Sequence, residues 1–199
     1  MSLPPRTARV ERQTAETSVT VTLALDDPAP TYANATGVGF LDHMLDLLAR
    51  HGRLGLTVEA DGDLHVDDHH TVEDVGITIG QALAQALGDK AYIARYGTAT
   101  IPMDEALARA AIDLSGRSHL TFVAAFDRER VGDLSTELVE HFFWSLAEQA
   151  RMTLHLDVLR GANDHHRIEA LFKAFARALR IAVARDEAGD RLPSTKEAL

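Results

Sequence analysis

The segments "HHTVEDVGITIGQALAQAL" (69–87) and "HHRIEALFKAFARALRIAV" (165–183) both open on His-His-x-x-Glu, and an aspartate precedes each histidine pair. Apolar residues at helical spacing predict an amphipathic helix over 71–87, ending at Gly88, and a second helix over 165–183. One such motif could arise from composition alone. Two copies at matching helix starts indicate an internal repeat.

The flanking sequence repeats in the same order. His43 precedes His69 by 26 positions and His141 precedes His165 by 24, so the offset between the two halves is nearly constant. In each half His43 or His141 lies on a predicted helix, and a strand and a turn follow that helix. The predicted segments are helices at 40–52 and 138–150, strands at 54–60 and 152–159, and the turns "DGD" (61–63) and "RGAND" (160–164).

The segments upstream of these units predict strands. Residues 8–25 alternate β-branched and polar side chains, which indicates two strands around a tight turn near Thr14–Glu16. Residues 98–126 also predict strands, although "MDEALARAA" (103–111) has helical propensity. We therefore expect one α/β (α+β) sandwich of two β-β-α-β-α halves, at about 8–90 and 97–185, with a C-terminal tail at 186–199.

Composition narrows the function classes. The 199 residues carry a formal net charge of −10, which disfavours binding to a nucleic-acid phosphate backbone. The chain has no cysteine, so thiolate metal sites and disulfides are excluded. No apolar run reaches the roughly 20 residues that a membrane-spanning helix needs. A cytoplasmic enzyme with no nucleic-acid or membrane partner is the expectation.

The repeated motif has the donor spacing of a metal site. Residues four apart on a helix project to the same side, so His69 with Glu73 can chelate one ion, as can His165 with Glu169. His70 and His166 point about 100° away and should serve a second ion. Imidazoles with carboxylates suit Mn, Fe, Zn or Ni, and the residue types alone do not choose among these metals. We expect the neighbouring Asp67, Asp68, Asp74 and Asp164 to orient the ligand histidines.

Several cations could hold an anionic ligand beside such a site. Lys173 lies eight residues after His165, near the same helix face, and Arg117 follows a Ser-Gly turn. Arg95 and Lys196 are the other candidates, and the Ser/Thr/Lys tail that contains Lys196 could fold over an anionic group. Each of these residues taken alone is more often a surface cation.

The motifs that distinguish this chain are "FLDHML", "HHTVEDVGI", "RYG", "PMDEALARAAIDLSGR", "NDHHRIEALFKAFARAL" and "PSTK". Together these motifs resemble the imidazoleglycerol-phosphate dehydratase family, in its single-function form. The resemblance extends from about Arg9 to Lys196. It implies a fold like the second domain of ribosomal protein S5, and a homo-oligomeric 24-subunit shell with active sites between subunits.

The resemblance also implies the site residues. Two Mn²⁺ ions per active site would be bound, one by His69, His141, His165 and Glu169, the other by His43, His70, Glu73 and His166. The implied substrate contacts are Glu16, Arg95, Arg117, Lys173, Ser194, Thr195 and Lys196.

The implied reaction is the dehydration of D-erythro-imidazoleglycerol phosphate to imidazole-acetol phosphate in L-histidine biosynthesis. It needs a carboxylate to move protons. We assign this role to Glu16, with Glu73 and Glu169 as competitors. Two other functions fit the metal ligands: a dinuclear metallohydrolase acting on a phosphate ester, and a metal-buffering shell protein. Hydrolases of that kind use more Asp ligands, and a buffer has no use for the cations.

Overall fold

The computed structural model describes residues 4–186 and 192–194. Its helices are α1 (Gly39–Gly52), α2 (His69–Leu87), α3 (Glu137–Ala150) and α4 (Asp164–Ala182). Its strands are β1 (Thr7–Gln13), β2 (Thr17–Ala24), β3 (Tyr32–Ala35), β4 (Gly55–Gly62), β5 (Tyr96–Met103), β6 (Ala106–Asp113), β7 (His119–Val123), β8 (Arg130–Val131), β9 (Leu134–Ser135) and β10 (Thr153–Arg160).

Two four-stranded sheets have the same topology. Their strand orders are β1-β2-β4-β3 and β5-β6-β10-β7, with a parallel pair at one edge and antiparallel pairs elsewhere. Burial alternates along β2 and β6, so each sheet turns one face to the core. This matching topology agrees with the duplicated β-β-α-β-α pattern that the sequence predicts.

The helices lie between the two sheets. Helices α1 and α2 pack on the first sheet and α3 and α4 on the second, while α1 packs against α4 and α2 against α3. Helices α1 and α3 each end at an arginine in the left-handed conformation, Arg53 after α1 and Arg151 after α3. Gly97 on β5 permits close packing, because a Cβ there would lie 2.0 Å from the Ala178 carbonyl oxygen of α4. Because α1 packs against α4 and α2 against α3, the helices hold the two halves of the chain together.

The structure refines several sequence predictions. Helix α2 begins at His69, two residues earlier than expected, and β4 continues to Gly62, through most of the predicted "DGD" turn. The tight turn near Thr14–Glu16 is confirmed, and so are strands within 98–126. Most of "MDEALARAA" is strand in spite of its helical propensity, because Met103 ends β5 and β6 begins at Ala106. Strand β3 and the β8–β9 hairpin were not predicted, because they are too short to show alternation.

The proposed boundaries of the repeats and the tail stay a prediction. Across the described residues, no helix has the length and apolar content that crossing a membrane would require.

Candidate metal centre

Two clusters of nitrogen and oxygen donors lie on the paired helices. One consists of His69, Glu73 and His141, on α2 and α3. The other consists of His43, His165 and Glu169, on α1 and α4. Within each cluster the potential ligand atoms lie within 4.8 Å of one another. We call these the α2–α3 cluster and the α1–α4 cluster.

In each cluster the motif supplies a histidine and a glutamate four residues apart. The Nε2 of His69 lies 3.7 Å from Glu73 Oε2, and that of His165 lies 3.1 Å from Glu169 Oε2. The third donor comes from the partner helix, since His141 Nε2 is 3.4 Å from Glu73 Oε1 and His43 Nε2 is 3.7 Å from Glu169 Oε2. Each cluster therefore takes two donors from the His-His-x-x-Glu motif and the third from a helix of the other half of the chain.

The second histidine of each pair has a carboxylate on its Nδ1. His70 Nδ1 is 3.0 Å from Asp63 Oδ2, and His166 Nδ1 is 2.7 Å from Glu105 Oε2. These hydrogen bonds raise the pKa of both histidines. The bond from His166, with backbone N–H groups of Asn163 and Ala162, lowers the pKa of Glu105 to about 2. Sequence reasoning missed Asp63 and Glu105, because neither lies beside its histidine in the chain.

The expectation that neighbouring aspartates orient the histidine rings is wrong. Asp67 accepts a bond from the His69 backbone N–H, not from a ring. Asp68 accepts hydrogen bonds from Ser135 and Arg130. Asp74 accepts them from Arg12 and Thr17. Asp164 accepts them from the backbone N–H groups of Asp127 and Arg128 and from the side chain of Arg167. Three of the four are buried and anchor the starts of α2 and α4 to distant segments. Their role is to fix the helices that carry the ligands.

Glu16 lies at the tip of the β1–β2 hairpin. The Thr14 hydroxyl accepts bonds from the backbone N–H groups of Glu16 and Thr17, which closes the turn. The Glu16 side chain is 54% exposed, and its Oε2 is 3.7 Å from His70 Nδ1. It is therefore a solvent-accessible carboxylate beside the candidate metal ligands.

The proposed substrate cations occupy different surroundings. Arg95 donates from Nε to Asp113 Oδ1 at 2.7 Å and from Nη1 to the Pro193 carbonyl oxygen at 2.6 Å, which places the described part of the tail, with Ser194, beside it. Arg117 is exposed in the β6–β7 loop. Lys173 Nζ lies 2.5 Å from Glu169 Oε1, so it borders the α1–α4 cluster. Thr195 and Lys196 lie outside the described residues.

Lys173 also affects the charge of the cluster. Burial disfavours the ionised form of Glu169, but the hydrogen bond and positive charge of Lys173 outweigh it, together with the bond from His165. The net result is a lowered pKa for Glu169. This carboxylate is therefore ionised, as a metal ligand must be.

The residues present fit a metal ion. Among the described residues, the buried Nε2 of His141 has no hydrogen-bond partner, although Glu73 and the ring of His69 stand beside it. A buried polar atom without a partner is costly, and a cation between these donors would satisfy it. Imidazole and carboxylate donors without thiolate suit manganese or another first-row metal.

The single chain groups these ligands differently from the sets that the family resemblance implies. Each implied set takes two residues from α2 and α3 and two from α1 and α4. Within one chain, however, Glu73 lies with His69 and His141, and His43 lies with His165 and Glu169. Each cluster of one chain thus supplies three grouped donors, and several of their imidazoles are about half exposed.

The chain is similar to proteins of known activity along its whole length. Residues 36–179 match the family model described as imidazoleglycerol-phosphate dehydratase. The protein of that name from Salinibacter ruber is 63% identical over 198 residues, covering 100% of this chain and 98% of the relative. The crystal structure of imidazoleglycerol-phosphate dehydratase from Staphylococcus aureus is 47% identical, with a TM-score of 0.81, covering 90% of this chain and 99% of that one. The structure of IGPD from Pyrococcus furiosus in complex with (S)-C348 is 34% identical, with a TM-score of 0.83, covering 96% and 100%.

Proposed function

The chain belongs to the imidazoleglycerol-phosphate dehydratase family, a family of histidine biosynthesis, and from this premise we propose its reaction and its cofactor. The substrate is D-erythro-imidazoleglycerol phosphate, and the products are imidazole-acetol phosphate and water. The observation that carries the proposal is the pair of His/Glu clusters in a chain that resembles these dehydratases over its full length.

The proposed cofactor is two Mn²⁺ ions in each active site. One ion would be held by His69, His141, His165 and Glu169, the other by His43, His70, Glu73 and His166. When bound, the ions would act as Lewis acids toward the imidazole of the substrate. The unpartnered His141 Nε2 and the ionised Glu169 support this ligand set.

The active site is proposed to form between subunits of a homo-oligomer, a 24-subunit shell. Support comes from the division of donors: one chain supplies two separate three-donor clusters, and each proposed site takes two residues from either helix pair. The half-exposed imidazoles of His43, His69 and His165 are open to a second chain. Contact between the α2–α3 cluster of one subunit and the α1–α4 cluster of another, together with His70 and His166, would give four ligands per ion.

Glu16 is the proposed proton carrier. In the net reaction, hydroxide leaves the carbon beside the ring and a proton leaves the neighbouring carbon, which gives water and an enol. The enol then takes up a proton at the carbon beside the ring and loses its hydroxyl proton to become the ketone. An exposed carboxylate at the tip of a hairpin, close to His70, can reach a bound substrate without being a metal ligand. Glu73 and Glu169 are less suited to this role, because each is engaged in its cluster.

The phosphate is proposed to bind Arg95, Arg117 and Lys196, and the further proposed substrate contacts are Lys173, Ser194 and Thr195. Binding energy at the phosphate, remote from the reacting carbons, would orient the substrate for proton transfer. The hydrogen bond from Arg95 to the Pro193 carbonyl oxygen supports this proposal, because it brings this part of the tail beside Arg95. The cytoplasmic location expected from composition stays a prediction.

The test is turnover by chelator-stripped protein with and without added Mn²⁺. We expect no formation of imidazole-acetol phosphate without metal and restored formation with Mn²⁺, while Mg²⁺ at the same concentration serves as the matched control. Release of inorganic phosphate is followed in parallel. Phosphate release without the ketone would indicate a phosphate-ester hydrolase, and metal binding without either product would indicate a metal-buffering protein.

A further inference from the structure

In the second half of the repeat, Glu105 occupies the position that Glu16 occupies in the first half. Glu16 is the last residue before β2 in the β1–β2 turn, and Glu105 is the last residue before β6 in the β5–β6 turn. Both face the second histidine of the motif in their own half. Glu16 Oε2 is 3.7 Å from His70 Nδ1, and Glu105 Oε2 is 2.7 Å from His166 Nδ1. The two glutamates are therefore counterparts in the repeat.

Their surroundings differ in a way that separates their roles. Both oxygens of Glu105 are engaged: Oε2 with His166, and Oε1 with the backbone N–H groups of Ala162, at 3.1 Å, and Asn163, at 2.8 Å. Glu105 thus joins the β5–β6 turn to the loop before α4. In the first half, Asp63 takes the short contact with His70 Nδ1, at 3.0 Å, and Glu16 stays beyond hydrogen-bond distance.

We propose that Glu105 is a positioning residue that holds His166 so that Nε2 faces the metal, and that Asp63 does the same for His70. This inference rests on the proposed metal-dependent function. A neutral imidazole that donates its Nδ1 proton to a carboxylate keeps a lone pair on Nε2, the nitrogen that can ligate. In the first half Asp63 performs this task, so Glu16 is left available for proton transfer.

Glu105→Gln tests the proposal because it replaces one carboxylate oxygen with an amide nitrogen and keeps the other oxygen. The amide oxygen can still accept from Ala162 and Asn163, so the link to the loop before α4 is kept. The amide nitrogen would face His166 Nδ1 and donate to it, which moves the ring proton to Nε2 and removes the ligating lone pair. Glu16→Gln is the counterpart variant. Glu11→Gln, on a carboxylate paired with Arg9 at the surface, is the control.

The first measurement is calorimetric titration of the chelator-stripped full assembly with Mn²⁺, together with the melting temperature of the metal-free protein. For Glu105→Gln we expect Mn²⁺ affinity to fall about 10- to 100-fold, with an unchanged metal-free melting temperature. The Mn²⁺ concentration for half-maximal turnover should rise, and saturating Mn²⁺ should restore most of the activity. Glu16→Gln should keep wild-type Mn²⁺ affinity and lose turnover, and Glu11→Gln should keep both.

Two results would overturn the assignment. One is wild-type Mn²⁺ affinity in Glu105→Gln. The other is a lowered metal-free melting temperature with turnover that saturating Mn²⁺ does not restore, which would make Glu105 a link between loops and nothing more. Failure of the proposed function is a separate observation, because it would appear as wild-type protein that binds Mn²⁺ and leaves the substrate unchanged.

Discussion

Replacing Gly76 with alanine is expected to loosen the α2–α3 cluster and leave the α1–α4 cluster intact. Gly76 lies on α2 where this helix packs closely against α3. A Cβ at this position would lie 2.8 Å from the Phe142 backbone oxygen and 3.2 Å from Ser145 Cβ. The nearer atom belongs to the backbone of α3, so it cannot move away by a change of rotamer. The helices themselves must separate.

The size of the effect follows from these distances. Ordinary contact begins near 3.4 Å, so α2 and α3 must move apart by roughly 0.6 Å, the difference between 3.4 and 2.8 Å. Overpacking of this kind costs about 1–3 kcal/mol. The better helix propensity of alanine offsets about 1 kcal/mol of that cost. We therefore expect the free energy of unfolding to fall by up to about 2 kcal/mol.

The same displacement should weaken metal binding. His141 directly precedes Phe142, and it forms the cluster with His69 and Glu73 on the opposite helix. Ligand distances in metal sites are tolerant to about 0.2 Å, so a separation of about 0.6 Å exceeds that limit. Of the two Mn²⁺ ions proposed for each site, the one that uses His69 and His141 should lose more affinity.

The assay is urea unfolding of the chelator-stripped protein at fixed subunit concentration, followed by titration of the folded variant with Mn²⁺. Gly39→Ala is the matched control, because a Cβ on this first residue of α1 would lie at 3.4 Å from Asp133 Oδ2, an ordinary contact. The control should be as stable as wild type or slightly more stable. The reasoning is refuted if Gly76→Ala is as stable as Gly39→Ala and binds Mn²⁺ with wild-type affinity.

Two further outcomes are expected. Glu16→Gln should lower kcat by about 10²- to 10⁴-fold with little change in KM, as loss of a proton carrier does; unchanged kcat in steady-state assays would exclude that role. Asp26→Asn should lower the free energy of unfolding by roughly 2 kcal/mol near neutral pH, because Arg6 and Arg185 bind this carboxylate. The hydrogen bonds from Arg6 hold the pKa of Asp26 below its usual range, so its contribution is complete above about pH 4 and is lost as pH falls further. Urea midpoints should therefore converge for variant and wild type in acid, and a constant difference would contradict this.

The sequence by itself determined the repeat and its elements. Helix and strand periods differ, so the four long helices and the main strands of both halves could be located from apolar spacing alone. The His-x-x-x-Glu spacing also fixed a local fact: donors four apart on a helix meet, as His165 and Glu169 do. Such features depend only on residues within one or two helical turns of one another, so they can be read directly from the sequence.

The tertiary structure decided which donors share a cluster. His141 joins Glu73, and His43 joins Glu169, because α3 packs on α2 and α1 on α4 across the two halves. This pairing results from burial of apolar faces between helices far apart in sequence, and no local spacing encodes it. The apolar spacing within a single helix therefore does not predict which helix it pairs with.

The tertiary structure likewise determined which carboxylates lie beside His70 and His166, two of the proposed metal ligands. Proximity in sequence favoured four aspartates next to the histidine pairs, but those side chains anchor helix starts. Asp63 and Glu105 reach the rings instead, because the end of β4 and the β5–β6 turn lie beside the starts of α2 and α4 in the folded chain. Adjacent residues on a helix point in different directions around its axis, so an aspartate directly beside a histidine in the sequence does not face its ring.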